Sequence, residues 1–113
     1  MVVQKLLFLD TKTFKIVKTI NVHVNKESIQ NLNALEHIGH LIFANVFLTN
    51  IIIVFSEEDG EVKAWLDVAK LRPTACNMIS CPANGIAHQK DKQTFLVTGK
   101  YWPILYQIWL KDD

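Results

Sequence analysis

The chain has 113 residues, half of them hydrophobic and a fifth charged, which excludes a disordered segment and suits one ordinary domain. Twelve basic residues against eleven acidic ones leave a net charge of +1, and no segment concentrates Lys and Arg as a phosphate backbone requires, which argues against nucleic acid as a partner. The two cysteines, Cys76 and Cys81, have no second Cys or His pair at zinc-ligand spacing, so no metal site is expected.

In chain order, residues 1–10 lack the long apolar core and small-residue cleavage site of a signal peptide, which reads as a cytosolic chain or one whose beginning is absent. Strands are predicted at 6–9, 16–22, 41–48, 51–55, 62–68, 94–98 and 105–110, short runs rich in Val, Ile, Leu and Phe between polar or Gly breaks. The polar tips at 10–13, 57–60 and 90–92 read as hairpin turns, with Asp59-Gly60 the strongest because Gly accepts positive φ. Residues 41–55 (LIFANVFLTNIIIVF) are too short to span a bilayer as a helix, which takes about 20 residues, and Asn45, Thr49 and Asn50 interrupt them. Their β-branched content fits two buried strands and a tight turn, so no membrane span is expected. In the loop 72–82 (RPTACNMISCP), two free thiols are the favoured reading of Cys76 and Cys81; a local disulfide would persist in an oxidising compartment.

The strands repeat. A shift of 46 residues lays 8–22 (FLDTKTFKIVKTINV) over 54–68 (VFSEEDGEVKAWLDV), and a shift of 51 lays Asn33 to His37 over Asn84 to His88. An all-strand repeat of this period indicates blades of four antiparallel strands in a β-propeller. Parsed so, residues 1–24 give the outer strands of one blade, 33–68 a complete blade and 84–110 three strands of another: an all-β partial propeller of about two to two and a half blades. Phe14 then falls where the other repeat places the turn glycine Gly60, an unfavourable choice if the turn keeps positive φ.

Residues 31–49 (NLNALEHIGHLIFANVFLT) resemble a pattern of the plant and bacterial glutaminyl cyclases, in which N-E-L-E is followed after a short turn by W-A-N-V-W-Q-T. The similarity resumes at 84–103, with NGIA and then FLVTGKYWP where the family has N-G-I-A and L-F-V-T-G-K-L-W-P, and 62–68 (VKAWLDV) is similar to the stretch around G-W-I-D-L. The resemblance runs from about residue 8 to 110 and covers only the C-terminal part of the family's domain. It implies a five-bladed propeller that converts N-terminal glutamine of peptides to pyroglutamate with release of ammonia, without a metal or other cofactor. The expected partner is a peptide or protein N-terminus bearing glutamine, and the family is often secretory or extracytoplasmic.

On the same resemblance Lys100 aligns with an active-site lysine that holds the oxyanion or orients the acid, and Asn33 with a substrate-contacting asparagine. Phe47 stands in place of a pocket tryptophan, keeping the apolar wall but losing the indole N–H. Glu36 is kept from N-E-L-E and reads either as a carboxylate lining the channel or as an acceptor of backbone N–H groups, whereas Ala34 replaces that motif's first acid. Asn45 and Asn84 read as structural asparagines. The family's proton-shuttling glutamate belongs to N-terminal blades that no segment here matches, which implies either a fragment of an enzyme or an inactive propeller remnant acting as an interaction module. Because an incomplete ring exposes sheet edges and apolar faces, further N-terminal blades or self-association are expected to complete it.

Overall fold

The computed structural model describes residues 5–72, 81–89 and 94–109. The predicted hairpin tip at 90–92, most of the loop 72–82 and Cys76 lie outside these residues.

Eleven strands account for nearly all of the described regular structure, and they form antiparallel meanders. Strands β1 (Lys5–Leu9) and β2 (Ile16–Asn21) pair as a first sheet. A small hairpin follows, β3 (His23–Val24) with β4 (Glu27–Ser28), which the strand pattern does not announce. The second sheet is complete: β5 (Leu32–Ile38), β6 (Leu41–Val46), β7 (Ile51–Ser56) and β8 (Val62–Asp67), each paired with the next. After a short 3-10 turn at Ala69–Leu71, the third sheet has β9 (Ala83–Gln89), β10 (Thr94–Gly99) and β11 (Tyr106–Trp109) in the order β9-β10-β11.

The second sheet is sandwiched, which explains the sequence of its middle strands. On β6, Ile42 and Ala44 join Ile20, Val22 and Phe55 in a core shared with the first sheet. Phe43, one residue out of phase, points the other way into a core with Val97, Phe95 and Trp102 of the third sheet. Phe43 and Phe95 stack there with centroids 4.9 Å apart. Strands buried on both faces read as continuous apolar runs rather than alternating ones, and this is what gives 41–55 its membrane-like density. No helix among the described residues is long and apolar enough to cross a membrane.

The turns repeat as the 46-residue shift predicts. Between β1 and β2, Asp10 N–H donates to Lys15 O and Phe14 N–H to Asp10 O; between β7 and β8, Ser56 N–H donates to Glu61 O and Gly60 N–H to Ser56 O. Phe14 (φ 59) and Gly60 (φ 79) therefore fill the same left-handed position. Gly60 has a second reason to be glycine, since a Cβ there would strike the Asn21 carbonyl.

Two expectations are corrected. Cys81 is disulfide-bonded, not a free thiol. The strand expected to run to residue 48 stops at Val46, because Leu48 takes φ 63 in the turn into β7.

Candidate functional site

The sequence-derived site residues are placed by two equivalent corners of neighbouring sheets. At the end where β5 starts and β6 finishes, Phe47 N–H donates to Asn31 O at 2.7 Å and Thr49 N–H to Val46 O at 3.1 Å. Where β9 starts and β10 finishes, Lys100 N–H donates to Pro82 O at 3.0 Å and Trp102 N–H to Gly99 O at 3.1 Å. The residue between them is left-handed in both, Leu48 and Tyr101 each at φ 63. Phe47 and Lys100 thus occupy the same turn position on adjacent sheets, and β5 packs beside β9, so the two corners lie at one end of the arc, its mouth.

Asn33 comes to this mouth through a bulge. The β5–β6 register shifts between Leu32 and Leu35, so Asn33 and Ala34 together face Asn45. Bulges bend a strand and re-aim a side chain, and Asn33 is accordingly exposed. Asn31, Leu32, Asn33 and Phe47 line an open depression of about 390 Å³. The structure thus brings Asn33 and Phe47 together, with Lys100 on the neighbouring corner.

Glu36 lies elsewhere. It sits between the second and third sheets, where its Oε2 accepts the His88 backbone N–H at 3.1 Å. Of its two sequence readings, the geometry shows the acceptor of a backbone N–H. The β9–β10 register shifts as well, pairing Thr98 with Gly85 and Gly99 with Ala83, which fits the structural reading of Asn84 at the start of β9. Asn84 is the extra residue of that bulge, the counterpart of Asn33 beside Lys100. The 51-residue shift that aligns the two asparagines was the signal for it.

Charge near the mouth is sparse. Lys100 is exposed, its Nζ 5.3 Å from the Tyr101 ring centroid. A second polar cluster lies at the opposite end of the second sheet: His37 Nε2 is 2.6 Å from Glu57 Oε2 and His40 Nδ1 2.9 Å from Glu57 Oε1. These hydrogen bonds, His40's first and then His37's, hold the Glu57 carboxyl below its ordinary range. Among the described residues no three His, Cys, Asp or Glu side chains form a metal-binding group.

Meandering antiparallel sheets packed face to face, with their first strands adjacent and their corners repeating bond for bond, define a β-propeller arc. The crystal structure of Myxococcus xanthus glutaminyl cyclase superposes with a TM-score of 0.84 over 91% of this chain and 46% of that one, at 23% identity. The family described as glutamine cyclotransferase matches residues 3–110, and the chain belongs to that family. It is 37% identical over 108 residues to glutaminyl-peptide cyclotransferase of Arabidopsis thaliana, covering 92% of this chain and 33% of that relative. The chain therefore spans about a third of the length of that curated relative.

Proposed function

We propose that this chain supplies part of the substrate mouth of a glutaminyl-peptide cyclotransferase, acting on peptides that begin with glutamine. Family membership over residues 3–110 supports the reaction class. What supports the residue assignment is that Asn33 and Phe47 line one depression while Lys100 holds the equivalent corner of the adjacent sheet.

In this reading the substrate's free α-amine attacks its own side-chain amide carbon, forming a C–N bond and a tetrahedral oxyanion. A proton passes from the attacking nitrogen to the amide nitrogen, the old C–N bond breaks, and ammonia leaves a five-membered lactam. The Lys100 ammonium donates to the oxyanion, a charge that exists only along the reaction path. The Asn33 amide, both donor and acceptor, reads the glutamine side chain, and Phe47 supplies an apolar wall. Glu36 acts as a strut between sheets.

The test is to incubate the purified, folded chain with a glutamine-initiated peptide and follow ammonia loss by mass spectrometry. Any cyclisation is expected to be slow, because the family's proton-shuttling glutamate lies outside the matched segment and its loss costs about 10²–10⁴-fold, and Lys100→Ala is expected to lower the rate by a further factor of about 10²–10³, the usual effect of removing an oxyanion donor. A folded chain that releases no ammonia would instead support a propeller remnant serving as an interaction module. The exposed Leu7 and Leu9 on β1 and Trp109 on β11 favour that second reading, since they offer apolar surface at both ends of the arc.

A further inference from the structure

A cation that the proposed reaction does not use stands at the same end of the second sheet as Phe47. Strand β8 ends there, with Asp67 paired to Ile51 at the start of β7, and the chain then turns through Ala69–Leu71 to Arg72 on its way to β9. The Arg72 side chain reaches back to the Phe47 corner: its Nη1–H donates to Asn50 Oδ1 at 2.5 Å, while Asn50 O accepts the Val68 N–H at 2.8 Å. Arg72 is half-buried, and none of the ion pairs among the described residues includes it. The acid nearest to it in sequence, Asp67, instead accepts the Ala69 N–H at 2.9 Å. A guanidinium carries its N–H donors in a planar fork, and the Asn50 amide oxygen orients that plane without neutralising the charge. A cation partly withdrawn from water and lacking a counter-charge is costly to hold, and a carboxylate placed against it recovers that cost.

We infer that Arg72 binds a carboxylate of the substrate peptide beyond its first residue, so that the mouth selects peptides in which an acidic group closely follows the glutamine. The inference rests on the reading of this end of the arc as a glutamine-binding mouth. A carboxylate accepts two parallel N–H bonds from one edge of a guanidinium, which makes the pair directional as well as charged. Reach sets the position of the acid. Arg72 is tied to Asn50, three residues on from Phe47 in the same turn and so at most about 11 Å of chain away, and an extended peptide advances about 3.3–3.6 Å per residue. A first residue at Phe47 therefore brings the carboxylate of a second or third residue to Arg72, and Lys100 is left for the oxyanion.

Peptides that begin with glutamine lacking its α-amine cannot cyclise and report binding alone. Isothermal titration of the folded chain compares an amidated peptide carrying glutamate at the second position with its counterpart carrying glutamine there. A second pair, with alanine at that position, compares a free C-terminal carboxylate with its amide, which separates a side-chain source of the carboxylate from a terminal one. At least one carboxylate is expected to bind about tenfold more tightly than its neutral counterpart. Arg72→Gln should bring the two members of that pair level, whereas a merely structural Arg72 would weaken both and keep their ratio. No advantage in either pair would overturn the inference, as would an advantage that survives Arg72→Gln or that Lys100→Ala removes in its place. Exchanging the glutamine analogue for a pentanoyl group, which lacks the side-chain amide, tests the reading beneath. If the acidic peptide then binds as well as before, Arg72 stands as a carboxylate site and the glutamine mouth does not; a chain that binds none of these peptides overturns both.

Discussion

Phe14 and Gly60 make the same turn with the same hydrogen bonds, so they form an internal experiment on one backbone position. A left-handed residue with a Cβ costs about 1–2 kcal/mol, and Phe14 is 72% exposed, so no buried surface offsets that cost. Phe14→Gly is expected to raise unfolding free energy by about 0.5–1 kcal/mol, the strain relieved less the extra entropy of glycine in the unfolded chain. Gly60→Ala should do the opposite by more than about 2 kcal/mol, since a methyl there meets the Asn21 carbonyl as well as the unfavourable φ. Urea titration of both variants checks the pair. Asn45 offers a second case: it is 1% exposed, and neither amide atom has a hydrogen-bond partner among the described residues. An unsatisfied buried amide costs about 1–3 kcal/mol. Its cross-strand neighbour at the bulge is Ala34, which packs on the same core, where the family pattern has an acid. Ala34→Gln is expected to recover about 1 kcal/mol of this in the urea midpoint, a gain that should vanish in an Asn45→Val background.

At the scale of elements, the blades were legible because turn chemistry and strand length recur. The 46-residue shift found the turns, and the 51-residue shift laid β5 on β9 residue for residue. What the sequence hid has physical reasons. The β3–β4 hairpin is two residues per strand, too short for a period of two to register. The bulge at Asn84 is not legible because a bulge is a matter of register, invisible until the partner strand is in place. Glu36 kept two readings because alternation alone does not tell an inter-sheet face from a channel face. A prediction about the proposed site separates the matched bulges: Asn33→Ala should weaken binding of a glutamine-initiated peptide by roughly 1 kcal/mol for one lost hydrogen bond, whereas Asn84→Ala, outside the depression that Asn33 and Phe47 line, should leave binding nearly unchanged. Isothermal titration with the non-cyclising glutamine analogue of such a peptide measures both. At the other end of the sheet, the depressed Glu57 carboxyl ties β5 to the β7–β8 turn through His37 and His40. A carboxylate held below 4.5 stabilises the fold fully above that pH and loses the effect as pH falls through its lowered value. Thermal melts should therefore show Glu57→Gln lowering Tm at neutral pH, with the gap to the parent closing as pH falls below 4.5 and through the lowered value.

At the scale of the whole molecule, two cores bury apolar side chains on either side of the second sheet, but both end faces of the arc carry apolar side chains in water. On the first sheet Leu7 and Leu9 are half exposed on the face away from Leu6 and Phe8, which pack into the core. On the third sheet Trp109 is 69% exposed beside Gln107, whose amide joins Gln89 and Thr94 in a hydrogen-bonded patch. Leu35 on β5 is open too, facing the side where the first sheet has two strands to the second sheet's four. Propellers avoid such surfaces by closing the ring, and contiguous apolar patches on a lone domain drive association. The purified 113-residue chain is therefore expected to bind an apolar dye and to migrate above its 13.0 kDa mass, increasingly so at higher concentration. Light scattering coupled to size exclusion measures the mass. Replacing Leu7 and Leu9 by Lys leaves Leu6 and Phe8 in the core and should return the chain toward 13.0 kDa, whereas replacing the already polar Thr19 on the same face should not. A chain that stays at 13.0 kDa at every concentration and ignores the dye would mean that these faces are not sticky enough to matter.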